Sequence, residues 1–372
     1  MKAQADLHIH SCFSMASSAS MLPPLILNAC RKKGILVQGS GDALHPEWRR
    51  YWEETDNGDI IVIPTTEVED NKRVHHLIIF EDFESFSDLA DALKKDSKTL
   101  DNNGRPRIYL SGNEIARSVH KLDGLIGPAH AFTPWTSIYA FYDSIADCYG
   151  SESIEFLELG LSADSSYGAA IKELVNVPFL SNSDAHSPSP DKIGREWTSL
   201  EIQSHNIHSV IESIREGKII ENVGLFPELG KYNQSACIRC YRSFGLEEAK
   251  SLMWKCPVDK GRIKKGVHDR GLELSSGTDT SPRPPYIHMV PLSEIIMRTL
   301  GTASSATKGC RSLYDSFIEL FKTETEILIE IKLEELSKVN NHVAESIVAL
   351  REGKVNMKPG GGGQYGSFDF IS

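Results

Sequence analysis

The sequence predicts an α/β fold whose strands close into a barrel, regular or distorted. Three observations carry that prediction. Short apolar β-type runs alternate with helical stretches over roughly the first 225 residues, the pattern of strands joined by crossover helices. Seven such runs occur, more than a small open sheet needs. The runs that end in polar residues end in His, Asp or Glu, as in barrel enzymes, whose active residues gather where strands finish.

In chain order, strands are expected at 5–10, 34–42, 60–69, 73–80, 124–132, 156–160 and 178–186. Helices are expected at 22–33, 85–98, 113–121, 136–149 and 165–175. Composition changes near residue 227. Residues 237–272 carry nine Lys/Arg against four Asp/Glu, a local +5. Residues 275–285, rich in Ser, Gly and Pro, read as a linker. From 291 to 355 apolar residues recur at spacings of three and four, which predicts helix. The glycine-rich stretch 359–366 cannot be helical. The domains expected are 1–226, 227–274 and 275–372.

Composition removes several classes. With 372 residues, 40% hydrophobic and 24% charged, the chain is neither disordered, collagenous nor of low complexity. Its 51 acidic and 40 basic side chains give −11, which argues against coating nucleic acid by bulk charge. The distribution is less simple, since the +5 segment leaves −16 elsewhere. Seven Cys, an odd number with a single C-x-x-C, fit a metal site better than a disulfide framework. The start lacks a signal-peptide core, and no apolar run approaches the ~18–20 residues of a membrane span. A cytoplasmic protein without membrane contact is expected.

The chemistry sits at the strand ends. The first strand finishes in Asp6-Leu7-His8-Ile9-His10, and residues i and i+2 of a strand share a face. The last ends in Ser183-Asp184-Ala185-His186, a second such pair. Between them stand Asp42, His45, Glu67, His75 and His130. One H-x-H pair is weak evidence for a metal, but two pairs with a Glu and further His are strong. Nine candidates, His8, His10, Asp42, His45, Glu67, His75, His130, Asp184 and His186, exceed what one ion uses, so two or three ions sharing carboxylates are expected. Such clusters suit phosphoester hydrolysis. His120, His205, His208, His268, His288 and His342 read as surface or capping residues.

The order H-x-H, Asp/His, Glu, His, His, D-x-H resembles the polymerase-and-histidinol-phosphatase (PHP) superfamily. The resemblance implies a distorted (β/α)7 PHP barrel holding divalent ions (Zn, Mn or Mg). Here two residues separate Asp42 from His45, where the superfamily usually has an adjacent Asp-His pair. The fourth motif falls on His75 or His76; His75 is preferred, since 85–89 then matches an aromatic-Leu segment and His76 would point the opposite way.

A closer resemblance, over nearly the whole chain, is to the endonuclease Q family. It rests on 11–14, 39–46, 73–77, 181–188, 194–196, the cysteine segment, 263–270 and 359–366. It implies a metal-dependent endonuclease acting on DNA that contains deaminated bases (uracil, hypoxanthine, xanthine) or abasic sites, cutting the phosphodiester 5′ to the lesion.

After the barrel a small zinc-ribbon-like module is expected, then a C-terminal helical domain. Cys237, Cys240 and Cys256 take three places of C-x-x-C…C-x-x-C spacing, and Asp259 stands in the fourth. Asp binds Zn²⁺ through oxygen, more weakly than Cys, and His268 is another fourth ligand; a metal-free knuckle is the competing reading. Lys260, Arg262, Lys264, Lys265 and Arg270 form a basic cluster suited to DNA phosphates, or a solvated hairpin face. The glycine turn 360–363 adds bare N–H groups, or only a flexible tail. Asp184 and Glu67 are the expected bridging or orienting carboxylates, and Arg195 either neutralises phosphate charge or forms a salt bridge. Trp135, Tyr139 and Tyr167 line a base pocket or pack in the core and rim. The competing functions are a small-molecule phosphoesterase on the same barrel and a non-catalytic DNA-binding scaffold.

Overall fold

The computed structural model describes residues 1–275, 277 and 282–371. Its strands are β1 (Lys2–Asp6), β2 (Val37–Gly39), β3 (Ile61–Ile63), β4 (Thr65–Glu69), β5 (His75–Ile79), β6 (Leu125–Pro128), β7 (Leu157–Glu158), β8 (Phe179–Leu180), β9 (Trp197–Glu201) and β10 (Ile219–Gly224), then β11 (Ala236–Cys237), β12 (Ile263–Lys264), β13 (Tyr286–His288), β14 (Val355–Lys358) and β15 (Ser367–Phe370). The α/β class and a helical C-terminal region are both present.

Pairing is less parallel than the alternating pattern predicts. β1, β2 and β3 are parallel neighbours, but β9 runs antiparallel between β1 and β10, and β13, parallel to β10, closes the edge in the order β13-β10-β9-β1-β2-β3. β4, β5 and β6 form a separate antiparallel sheet. The reason is local. Pro64 interrupts the 60–69 run, and 70–73 is a tight turn with Arg73 at φ +74°, its Asp70 carboxylate accepting from Lys72 N and Val74 N at 2.8 Å each. A hairpin so short cannot hold parallel strands. β7 and β8 form a short parallel pair.

The helices follow their caps. Ser111 and Glu114 form a capping box at the head of Gly112–His120. The segment expected as one helix at 136–149 is two, Ile138–Phe141 and Ile145–Tyr149, because Ser144 caps the second and the chain is extended at Tyr142. The segment 165–175 likewise breaks after Ala169, leaving Ser165–Ala169 and a 3₁₀ turn.

The C-terminal region is helical from Leu292 to Arg351 in five pieces, but 355–370 is a hairpin, β14 with β15 around the glycine-rich turn. One hydrophobic core joins both ends of the chain: Ile26, Trp48 and Trp197 pack in the same cluster as Ile295, Phe317 and Ile347. A buried ion pair, Lys33 Nζ to Glu324 Oε1 at 2.7 Å, ties the helix Pro23–Lys33 to Glu324–Ile329. Of the linker 275–285, residues 276 and 278–281 lie outside the described residues. Arg283 anchors its end, donating to the Leu174 and Val177 carbonyls and lying 3.8 Å over the Phe179 ring.

Candidate metal centre and adjoining cavity

The segments that leave β1 and β8 meet side by side at the site. His10 N donates to Ala185 O at 2.9 Å, and Ile9 and Ala185 form a parallel bridge beyond the strands proper. That contact sets the H-x-H and D-x-H segments edge to edge. Asp6 fixes the second of them, its carboxylate accepting from Ser183 N at 2.9 Å and Gly194 N at 3.0 Å. His75 arrives by a different route: it opens β5, and the antiparallel register places it opposite Glu69. The start of one strand thus meets the end of its neighbour, so all the ligand types reach one end of the sheets. Three of the sequence-predicted residues sit at positive φ, Asp42 at +49°, His130 at +31° and Asp184 at +47°. Side chains seldom adopt that conformation outside sites that require it.

Two triads form, His8–His10–Asp184 and Glu67–His75–His130, each with its ligand atoms within 4.8 Å of one another. Glu67 stands between them. Its Oε1 lies 2.7 Å from His75 Nδ1, 2.9 Å from His130 Nε2 and 3.7 Å from His8 Nε2, while Oε2 lies 3.4 Å from His10 Nε2. Asp184 Oδ1 lies 3.2 Å from His10 Nε2 and 3.5 Å from His186 Nε2. The ring of His186 stacks on His10 at 4.4 Å, and its Nδ1 meets Ser17 Oγ at 2.9 Å.

Two expected ligands stand elsewhere. The Asp42 carboxylate is engaged by Ser11 N, Ser11 Oγ, Ser14 Oγ and His10 Nδ1, the last at 3.1 Å, so it lies behind His10. His45 caps the helix Pro46–Glu53, accepting from Trp48 N, and its ring stacks on Phe13 at 4.0 Å. His76 faces away from both triads, with Nδ1 2.6 Å from the Tyr149 hydroxyl.

Residues the sequence reading missed complete the site. Glu158 lies 2.9 Å from His8 Nδ1, accepts from His130 N at 2.8 Å and is held by Asn182 Nδ2 at 2.8 Å. Arg105, from a loop, donates to Glu67 Oε2 at 3.1 Å, and Glu69 Oε2 lies 3.5 Å from His75 Nε2. A Glu inside the expected strand 156–160 was the available signal for Glu158; Arg105 lies among turn residues and carried none.

The donor set fits divalent ions. His8 Nε2, His10 Nε2, His75 Nε2 and Asp184 Oδ1 are buried without hydrogen-bond partners among the described residues. Orphaned buried atoms of this kind need an explanation, and aimed at one another they frame cation sites. Burial opposes charge on His8 and His10, yet the facing carboxylates outweigh it and push them up to about 10 and about 9. Burial raises Asp184, but His10 and His8 hold it well below the usual carboxylate range. The carboxylates therefore stay ionised and attract cations.

Beside the triads opens a cavity of about 570 Å³. His75, His130 and Asp184 line its floor, and Trp135, Lys231, Arg298 and Tyr365 line its far wall. Arg195 also reaches it, its guanidinium held by the Ser183 carbonyl at 2.8 Å and the Asp184 carbonyl at 3.4 Å. Trp135 is 53% exposed, whereas Tyr139 is buried with its hydroxyl on Glu173 and Tyr167 accepts from Asn233.

The cysteine module adjoins this wall. Cys237, Cys240, Cys256 and Asp259 come together within 4.8 Å, with Cys240 Sγ 3.7 Å from Cys256 Sγ and Cys237 Sγ 3.3 Å from Asp259 Oδ1. His268 packs on Tyr167 instead. Of the basic cluster, Lys260 and Arg262 are exposed, but the other three face inward. Lys264 lies 3.6 Å over the Trp135 ring and donates to Pro134 O; Lys265 pairs with Glu273 at 2.6 Å; Arg270 holds the Tyr139 and Tyr142 carbonyls and Asp143. The glycine turn is not bare either. Gly360, Gly361, Gly363 and Gly366 donate to Glu228, Gln364, Lys231 and Leu229 carbonyls, and Gly362, at φ +65°, passes so close to Cys237 O that a Cβ would lie 2.4 Å from it.

No helix among the described residues is long and apolar enough to cross a membrane. Residues 169–219 match a family model described as PHP-associated, and 291–354 one described as the MJ0043 C-terminal domain. MJ0043 of Methanocaldococcus jannaschii is 46% identical over 248 residues, which span 65% of this chain and 31% of that protein. The crystal structure of a lesion-specific endonuclease, PfuEndoQ of Pyrococcus furiosus, matches with a TM-score of 0.95 and 42% identity, over 100% of this chain and 96% of that one. A structure of endonuclease Q with a 27-mer duplex bearing an abasic lesion at its active site matches with a TM-score of 0.93 and 42% identity, over 100% and 97%. Resemblance that close, sustained from end to end and including the parts beyond the metal centre, shows that this chain belongs to the endonuclease Q family of PHP enzymes.

Proposed function

We propose that the chain is a metal-dependent endonuclease that cuts duplex DNA at damaged nucleotides, on the 5′ side of deaminated bases (uracil, hypoxanthine, xanthine) or abasic sites. One observation carries the reading: the floor of the cavity is metal-ligand chemistry, while its far wall comes from the cysteine-module side and the C-terminal region. A small-molecule phosphoesterase has no use for that second wall, and a scaffold has none for the orphaned ligand atoms. The volume suits one nucleoside turned out of the duplex. The strands preceding the site are taken as the distorted barrel, and the cysteine module as a zinc ribbon with Asp259 as fourth ligand.

Divalent ions held by His8, His10, Glu67, His75, His130, Asp184 and His186 would supply Lewis acidity and a nucleophilic water near neutral pH. Glu67 presents one oxygen to each triad and so suits a bridging role. Asp184 orients the attacking water. Arg105 and Arg195 line the floor as fixed positive charges beside the scissile phosphate. Asp42 and Glu158 hold the His10 and His8 rings by Nδ1, leaving both Nε2 atoms for metal. Lys260 and Arg262, the exposed members of the basic cluster, face the DNA backbone, while Lys264, Lys265 and Arg270 position the module that carries them.

The test is a labelled duplex with one uracil, hypoxanthine or abasic site, incubated with the protein and Mg²⁺ or Mn²⁺. A single nick 5′ to the lesion is expected. Intact DNA with every metal, together with phosphate release from small esters, would overturn the reading.

A further inference from the structure

A second buried constellation stands on the opposite face of β5. Neighbouring residues of a strand point to opposite faces, so His76 is turned away from the cavity. Its ring lies among Asp70, from the turn before β5, and Cys148, from the helix Ile145–Tyr149. One ligand atom from each lies within 4.8 Å of the other two, and all three residues are buried. The centre described above uses none of them.

The bonding around them leaves a gap for a cation. His76 Nδ1 is engaged by the Tyr149 hydroxyl at 2.6 Å, which fixes the ring and leaves Nε2 facing inward without a partner. Asp70 Oδ1 takes the Lys72 and Val74 N–H groups, while Oδ2 has no partner and lies 3.4 Å from His76 Nε2. Two orphaned atoms, donor-capable nitrogen and carboxylate oxygen, are fully buried and aimed at one point, an arrangement costly without a ligand. Their separation equals the edge of a tetrahedron whose ligands lie ~2.1 Å from its centre. An imidazole oriented through its other nitrogen is the usual posture of a metal ligand.

The packing keeps the space open. Gly112 begins the helix Gly112–His120 against this cluster, and a Cβ there would lie 2.6 Å from Cys148 Sγ and 3.0 Å from His76 Cε1. Any side chain at that position would push the sulfur and the ring apart.

We propose that Asp70, His76 and Cys148 bind a zinc ion, separate from the ions of the cavity floor and of the cysteine module. A mixed oxygen, nitrogen and sulfur set suits Zn²⁺, and three protein ligands leave a fourth position for water. Binding displaces the thiol proton to solvent. The site clips together the 70–73 turn, β5 and the helix that precedes β7. Since β5 carries His75 on its other face, the ion acts as a structural brace behind the metal centre.

The test counts metal in the full chain by mass spectrometry after dialysis against metal-free buffer. Cys148→Ala and Asp70→Asn are each expected to lose one zinc per chain, with the other metals retained. Cadmium-113 NMR of the unsubstituted, cadmium-loaded chain needs no variant: it is expected to show a resonance in the range of a one-thiolate site, apart from that of the three-thiolate module. An unchanged zinc count in a folded Cys148→Ala, or a cadmium spectrum lacking the one-thiolate resonance, would overturn the proposal. Should the variants lose all metal by unfolding, the cadmium spectrum decides.

Discussion

His8 Nδ1 and Glu158 Oε2 lie 2.9 Å apart across 150 residues of sequence, both buried. The same carboxylate holds His130 N, so one side chain aligns a ligand from each triad. Glu158→Gln keeps the shape and removes the charge. Metal affinity is expected to fall ~10–100-fold, the usual effect of losing a carboxylate behind a metal-bound imidazole. Titration with a chromophoric chelator checks it; unchanged affinity would remove Glu158 from the centre.

Asp184→Asn is expected to abolish nicking while duplex binding, followed by gel shift, stays within a few fold. Its Oδ1 is shared by both imidazoles of the H-x-H pair and by His186, whereas the exposed cations Lys260 and Arg262 lie elsewhere. Loss of binding together with nicking would contradict the separation of the two roles.

Glu196 offers a pH signature. Its Oε1 accepts from Leu225 N at 2.8 Å, Oε2 has no partner, and burial pushes the carboxyl up to about 8. An unfolded glutamate titrates near ~4.3. Between these values the folded chain holds a proton that the unfolded chain has released. Stability therefore falls as pH rises across that window and levels off above it. Glu196→Gln is expected to flatten the fall in melting temperature between about pH 5 and pH 8. A variant as steep as the parent would assign the slope to other groups.

Lys33 and Glu324 are each 1% exposed and joined at 2.7 Å, and Glu324 also accepts from Leu292 N and the Tyr314 hydroxyl. Lys33→Met strands a buried carboxylate, with an expected loss of ~3–5 kcal/mol in denaturant unfolding. Replacing both partners by apolar residues is expected to recover much of it.

Asp259→Cys is expected to slow zinc loss from the cysteine module to a competing chelator, because a fourth thiolate binds Zn²⁺ more tightly than a carboxylate. An unchanged rate would place Asp259 outside the coordination sphere.

What the sequence made legible is what obeys a short period. The His8–His10 and Asp184–His186 pairs are visible because a strand repeats every two residues, and they carry chemistry that apolar runs lack. The α/β class follows from the same alternation. The antiparallel β4-β5-β6 sheet was missed for another reason: the expected strands 60–69 and 73–80 were read as parallel members of one alternation, although the connection between them is too short for a parallel crossover. Glu158 was not visible as a partner of His8, since nothing in spacing links residues 150 positions apart. The basic cluster misled in a different way. Charge along the chain says where cations are, but Lys264, Lys265 and Arg270 spend theirs on backbone carbonyls, a ring and nearby acids.

The cavity draws its far wall from four stretches far apart in the chain, near 135, near 231, near 298 and near 365. Lys231 sits between the rings of Tyr232 and Tyr365, and the glycine turn is laced to the same backbone. The proposed function therefore assigns selectivity and reactivity to separate stretches of chain. If the cavity takes the nucleotide as proposed, substitutions at the far wall are expected to retune which one is accepted while the ligand set stays untouched. Shortening the chain from its C-terminal end is not the same operation, because it would remove Tyr365 from that wall and Phe368 from the core that both ends of the chain share.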